Sequence, residues 1–141
     1  MPTLKTLKKY LFSLFRLKPL NLFGIHDPRG IHYLFQLRMG LSPLKSHKKH
    51  YGFIDTPSDT CSCTHGVENT IHFLFQCPLY TTQRATLAAS VIMILLRYNL
   101  NNLGNQERLY LYGHHSINDA DNKAILLATI KFIKETNRFS A

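Results

Sequence analysis

All three cysteines of this chain fall within seventeen residues, with a histidine among them: Cys61-Ser62-Cys63, then His72, then Cys77. As a pattern this is C-x-C, eight residues, H, four residues, C. Three thiolates and one imidazole make a complete tetrahedral set for zinc with no position left for water, so such a site is structural and not catalytic. Cys61 and Cys63 on a turning chain can aim two sulfurs at one ion, and His72 and Cys77 close the site from the two ends of a short helix. The intervening Thr64 to Ile71 carry little apolar content, so their order depends on ligation. On spacing alone His65 is an alternative ligand. Cys77, within Phe73-Leu74-Phe75-Gln76-Cys77, also reads as a small buried hydrophobe. A free C-x-C in a polar turn has no such packing explanation.

The rest of the chain is written in helix punctuation. Asp27-Pro28 reads as an N-cap with proline at the first helical position, followed by Ile31, Leu34, Phe35 and the stem of Arg38, with Gly40 as the stop. Ser42-Pro43 opens a short helix that carries Leu44, His47 and Lys48 and ends near Gly52. Residues 53–70 are turn-rich and hold the first two cysteines. Ile71 to Gln76 forms one or two helical turns, Cys77 is biased out of helix by Pro78, and Pro78 opens a longer helix through Leu79, Ala85, Leu87, Ala88, Val91, Ile92 and Leu95. The apolar run Leu87 to Leu96 is too short to cross a bilayer and reads as a buried helix. After a linker at 99–105 come a short helix over Gln106 to Tyr112 and a last helix capped by Ser116 or Asn118. That helix repeats Ile125, Ala128, Thr129, Phe132 and Ile133 on one face, with Lys123, Lys131, Lys134 and Glu135 outside. The fold class is mainly α: a small helical domain with an irregular, zinc-knuckle-like CCHC loop.

Charge divides the chain. Of 141 residues, 17 are Lys or Arg and 8 are Asp or Glu, and the net +9 lies wholly in the first third, where ten basic side chains face Asp27 alone over residues 1–50. Residues 51–141 hold seven of each sign. Such a one-sided excess points to a polyanion or an anionic surface. Leu4, Leu7, Leu11, Leu14 and Phe15 fall at helical spacing with Lys5, Lys9 and Arg16 opposite, so residues 3–17 read as a basic amphipathic helix ending near Pro19. The organisation is therefore a basic helix and linker over 1–25, then a helical domain over 26–141 that contains the metal module at about 32–84. Arg38, Lys45, His47, Lys48 and Lys49, interleaved with Tyr33, Phe35, Tyr51 and Phe53, are the candidate nucleic-acid contacts, RNA or DNA, with cations for phosphates and rings for unpaired bases. The plainer reading makes Phe35 and Phe53 core.

The span from His32 to Arg84 resembles the zinc-binding segment downstream of the polymerase domain in non-LTR retrotransposon reverse transcriptases. The residues that carry the likeness are Gln36-Leu37-Arg38-Met39-Gly40-Leu41-Ser42-Pro43-Leu44 with His47, and Cys61-Ser62-Cys63 followed by Glu68-Asn69-Thr70-Ile71-His72-Phe73-Leu74-Phe75-Gln76-Cys77-Pro78-Leu79-Tyr80 and Arg84. The resemblance implies ligand roles for Cys61, Cys63, His72 and Cys77, and a reverse transcriptase core as a partner. In one departure, the family often has Gly directly after the second Cys, where this chain has Thr64-His65 before Gly66.

No paired-aspartate polymerase motif and no endonuclease signature occurs, and the acids of residues 51–141 are too scattered to hold two metal ions. The expectation is a nucleic-acid-binding zinc module derived from a retrotransposon reverse transcriptase, without catalysis of its own. With an odd cysteine count and no secretory signal, the expected setting is intracellular, nucleus or cytoplasm, and no segment is transmembrane. The alternatives are a mitochondrially targeted or membrane-surface protein led by residues 1–18, and a retroelement relic without function.

Overall fold

A computed structural model of the chain describes residues 22–99 and 104–140; the helix expected over 3–17 lies outside them. The architecture is mainly helical. Helix α1 spans Pro28–Met39, α2 Lys45–His50, α3 Thr81–Leu95, α4 Gln106–Tyr112 and α5 Asp119–Thr136. A π-helical turn, His72–Gln76, and a 3-10 turn, Pro78–Tyr80, stand between α2 and α3. Among the described residues the only β pairing is an isolated antiparallel bridge between Thr60 and Val67. None of the described helices is long and apolar enough to cross a membrane.

Helix α5 is the spine, and α3, α1 and α4 all pack on it. Ile125, Leu126, Thr129, Ile130, Phe132 and Ile133 are buried along it, a face broader than one stripe because neighbours cover it from several directions. Asn118, not Ser116, is its N-cap, accepting a 2.8 Å bond from the Asp121 amide. Helix α1 starts and stops as its sequence predicts: Asp27 Oδ1 accepts from the Gly30 amide at 3.0 Å, and Gly40 ends it in the left-handed conformation at φ 67°. Gly30 is where α1 meets α5, since an added Cβ would fall 2.5 Å from Ile130 Cγ2. Phe73, wholly buried, centres an aromatic cluster with Tyr80, Phe132 and Phe139 at 5.2–5.5 Å between rings.

Three sequence expectations change. The Leu87 to Leu96 run is helical but not buried all round: Leu87, Val91 and Ile94 face the core, while Ile92, Met93 and Leu96 are 54%, 67% and 74% exposed. Only one side of α3 can lie on α5, and a run apolar on every face gives no contrast to show which. Pro78 opens the 3-10 turn and α3 itself begins at Thr81, because Cys77 is extended at ψ 122° and the chain needs one tight turn to re-enter helix. Helix α2 begins at Lys45, and Ser42 is not its cap. Its first amide is instead taken by a distant carboxylate.

That carboxylate is Glu68, 3% exposed. Its Oε1 accepts from the Lys45 amide at 2.8 Å and from Arg138 Nη2 at 2.6 Å, and its Oε2 accepts from Arg138 Nε at 2.9 Å. Its backbone carbonyl accepts from the Ser46 amide at 3.0 Å. Arg138 Nη2 also donates to the Pro43 carbonyl at 2.8 Å, so one ion pair, its carboxylate buried and its guanidinium partly exposed, ties the start of α2, the loop and the C-terminal tail together. Removing one partner from a buried pair leaves an uncompensated charge. Glu68→Gln is therefore expected to lower unfolding free energy by about 3 kcal/mol in urea titrations. The double variant Glu68→Gln/Arg138→Met should lose less than the sum of the two single changes.

Candidate metal centre

The two halves of the centre come from different local structures. Cys61 and Cys63 sit in a tight hairpin closed by the Cys61 amide donating to the Gly66 carbonyl at 2.8 Å and the Glu68 amide donating to the Asp59 carbonyl at 2.8 Å. Inside it the Thr64 amide donates to the Cys61 carbonyl at 2.9 Å, and the His65 amide donates to Cys63 Sγ at 3.3 Å. The other half is the π turn, capped by Asn69, whose Oδ1 accepts from the His72 amide at 2.8 Å. The turn closes with the Cys77 amide donating to the His72 carbonyl at 2.7 Å. At about 100° per residue an α-helix would set residues five apart roughly 140° from each other. The wider π turn brings residues 72 and 77 closer to the same side, and the extended Cys77 completes the approach.

The four side chains converge. Cys61, Cys63, His72 and Cys77 are all buried, and their ligand atoms lie within 4.8 Å of one another. Cys61 Sγ and Cys77 Sγ are 3.8 Å apart, and Cys63 Sγ is 3.2 Å from His72 Nε2. Together they can hold a metal ion, and no second such group gathers among the described residues. His65 does not join them; its Nδ1 lies 2.6 Å from the Cys63 carbonyl oxygen.

Burial pushes the Cys77 thiol up to about 12 and raises Cys61 as well. Burial acts in the same sense on Cys63, but hydrogen bonds from the His65 amide and from Cys61, His72 and Cys77 outweigh it and bring that thiol down to about 6. Without a cation the cluster favours one thiolate beside two neutral thiols. Three thiolates at this spacing require a positive charge at their centre.

The residues flanking the ligands form a frame. Cys61 Sγ lies 4.0 Å from Glu68 Oε2. Arg84 donates from Nε to the Leu74 carbonyl at 2.9 Å and from Nη2 to the Phe73 carbonyl at 3.1 Å, taking up carbonyls the π turn leaves open. His47 is largely buried, with Nδ1 2.7 Å from the Ser42 hydroxyl and Nε2 3.3 Å from that of Thr70, and burial lowers its pKa.

The other candidate nucleic-acid contacts are placed unevenly. Arg38 points away from α2: its Nε donates to the Leu111 carbonyl at 2.6 Å and its guanidinium sits 4.5 Å from the Tyr112 ring. Lys45 Nζ reaches the metal loop, 3.1 Å from the Thr60 carbonyl oxygen and 3.4 Å from Ser62 Oγ. Lys48 pairs with Asp55 at 2.7 Å and Lys49 with Asp59 at 4.0 Å, both at the surface. Sequence reasoning did not foresee the roles of Glu68 and Arg138. Glu68 stood in the motif without an assigned part, and nothing local marks Arg138.

Thr64 takes the left-handed conformation at φ 66°, and Gly66 follows at φ 134°. A β-branched residue is strained there, so the departure from glycine after the second cysteine has a conformational cost. Thr64→Gly is expected to raise unfolding free energy by about 1 kcal/mol, and Gly66→Ala to lower it by about 2 kcal/mol, both read from denaturant midpoints of the metal-loaded chain. No protein-family model, curated protein or solved structure matches this chain.

Proposed function

We propose that the protein is a zinc-ordered nucleic-acid-binding module, derived from the segment downstream of a retrotransposon reverse transcriptase polymerase domain and without catalysis of its own. The observation that carries the reading is the convergence of Cys61, Cys63, His72 and Cys77 with all ligand atoms inside 4.8 Å. Zinc fits the donor set, since it accepts thiolate and imidazole in a closed tetrahedron. With Zn–S of about 2.3 Å a tetrahedral sulfur edge is about 3.8 Å, and the Cys61–Cys77 separation is 3.8 Å. The Cys63–His72 edge of 3.2 Å is a few tenths of an ångström inside the corresponding S–N value and opens slightly on binding.

The nucleic-acid part rests on the charge. The basic excess of residues 1–50 precedes this loop in the chain; Lys49 reaches Asp59 at the start of the loop, and Lys48 and the exposed Arg29 line one groove. The ion pairs of Lys48 and Lys49 are at the surface and worth little, so phosphates can replace the carboxylates. His47 acts instead in the frame, Arg38 ties α1 to α4, and Lys45 bridges the frame and the loop.

Elemental analysis of the purified chain is expected to give one zinc per protein, lost in Cys63→Ser; metal-free protein with unchanged folding would exclude the metal reading. Nucleic-acid affinity should fall steeply with salt, and Lys48→Ala and Lys49→Ala should each reduce the log–log slope by about one. Binding that ignores salt would contradict the phosphate contacts.

A further inference from the structure

Between the N-terminal half of α1, the start of α2, the turn that follows α2 and the C-terminal tail runs a groove of about 870 Å³. It lies within the size range of ligand pockets. Its walls combine two chemistries. Tyr33, Tyr51 and Phe53 supply rings, and Arg29 and Lys48 supply cations. Arg138 also reaches the groove, but Glu68 behind it balances its charge. Asp55 is the one carboxylate in the lining, held by Lys48 in an exposed pair.

The three rings differ in availability. Tyr33 is buried, its ring edge-on to Phe139 at 5.6 Å, so it forms the floor. Tyr51 and Phe53 are half-exposed. Lys48 Nζ stands 5.6 Å from the Phe53 ring centre, which puts a cation and a stacking surface side by side. A phosphate on Lys48 or Arg29 would set the attached base at these rings, and a base can stack on an aromatic side chain only when its face is not already covered by neighbouring pairs. A duplex offers this groove phosphates alone.

Resting on the nucleic-acid reading above, and deepening it, we infer that this groove receives an unpaired nucleotide, stacked on Tyr51 or Phe53 with its phosphate at Lys48 and Arg29. The protein therefore selects single-stranded over duplex nucleic acid. An acidic peptide would use the same cations but leave the rings without a partner.

The test is fluorescence anisotropy of the zinc-loaded full chain with a short labelled single strand and with a duplex of the same length. The single strand is expected to bind about tenfold tighter. That preference should collapse in Tyr51→Ala and persist in Tyr51→Phe, which keeps the ring. Metal content and far-UV circular dichroism check that each variant is folded, and Phe53→Ala serves as a second ring deletion if Tyr51→Ala loses its metal. Equal affinity for single strand and duplex overturns the inference while leaving the proposed function standing. So does a preference untouched by both ring deletions, or competition by polyphosphate, which has no bases, as strong as that by the single strand. Absence of binding to either nucleic acid overturns both.

Discussion

The Glu68 carboxylate holds three parts of the molecule that the chain alone would leave apart. It takes the first amide of α2, receives two donors from Arg138 after α5, and lies against the sulfur of Cys61. Helix α2 is six residues long and has no side-chain cap of its own, so its N-terminus depends on this distant group. The tail depends on it too, because the Arg138 latch leads directly to Phe139, whose ring stacks on Phe73 at 5.4 Å. Phe73 in turn follows His72 in the π turn. The Cys/His cluster, aromatic core and C-terminal tail are thus one connected unit, and a disturbance at the loop is felt in the core.

This connection explains what the motif residues are for. Glu68, Thr70, His47 and Arg84 are among the further residues on which the resemblance to the retroelement segment rests. In the structure each takes part in hydrogen bonds that hold the loop and the π turn in place. The lysines are different. Lys45 braces the loop, while Lys48 and Lys49 lie in weak surface pairs, so these three lysines divide into one with internal work and two open to a partner.

What was readable in the sequence was local. Asp27-Pro28 with Gly40, and Asn118 ahead of α5, are caps whose donors lie within three residues, and composition alone exposes them. The convergence of Cys61, Cys63, His72 and Cys77 was readable because thiols and an imidazole have few other reasons to gather. The capping of α2 was not, since its acceptor is 23 residues away, and the Glu68–Arg138 pair spans 70. The π turn was also hidden: His72 to Gln76 reads as ordinary helix, and nothing local in those five residues marks the wider turn. The exposed side of α3 escaped because Leu87 to Leu96 is apolar on every face. The inward turn of Arg38 escaped because its acceptor, Leu111, is 73 residues on.

The account makes metal binding and the order of this connected unit a single event. Hydrogen–deuterium exchange on the zinc-loaded and chelator-stripped chain measures that directly. Loss of metal is expected to remove protection from the amides of Cys61, Thr64 and Cys77, and also from those of Lys45 and Ser46, which donate to Glu68, while the α5 amides around Leu126 and Ile130 exchange last. Unchanged protection at Cys61, Lys45 and Ser46 after the metal is stripped would contradict it.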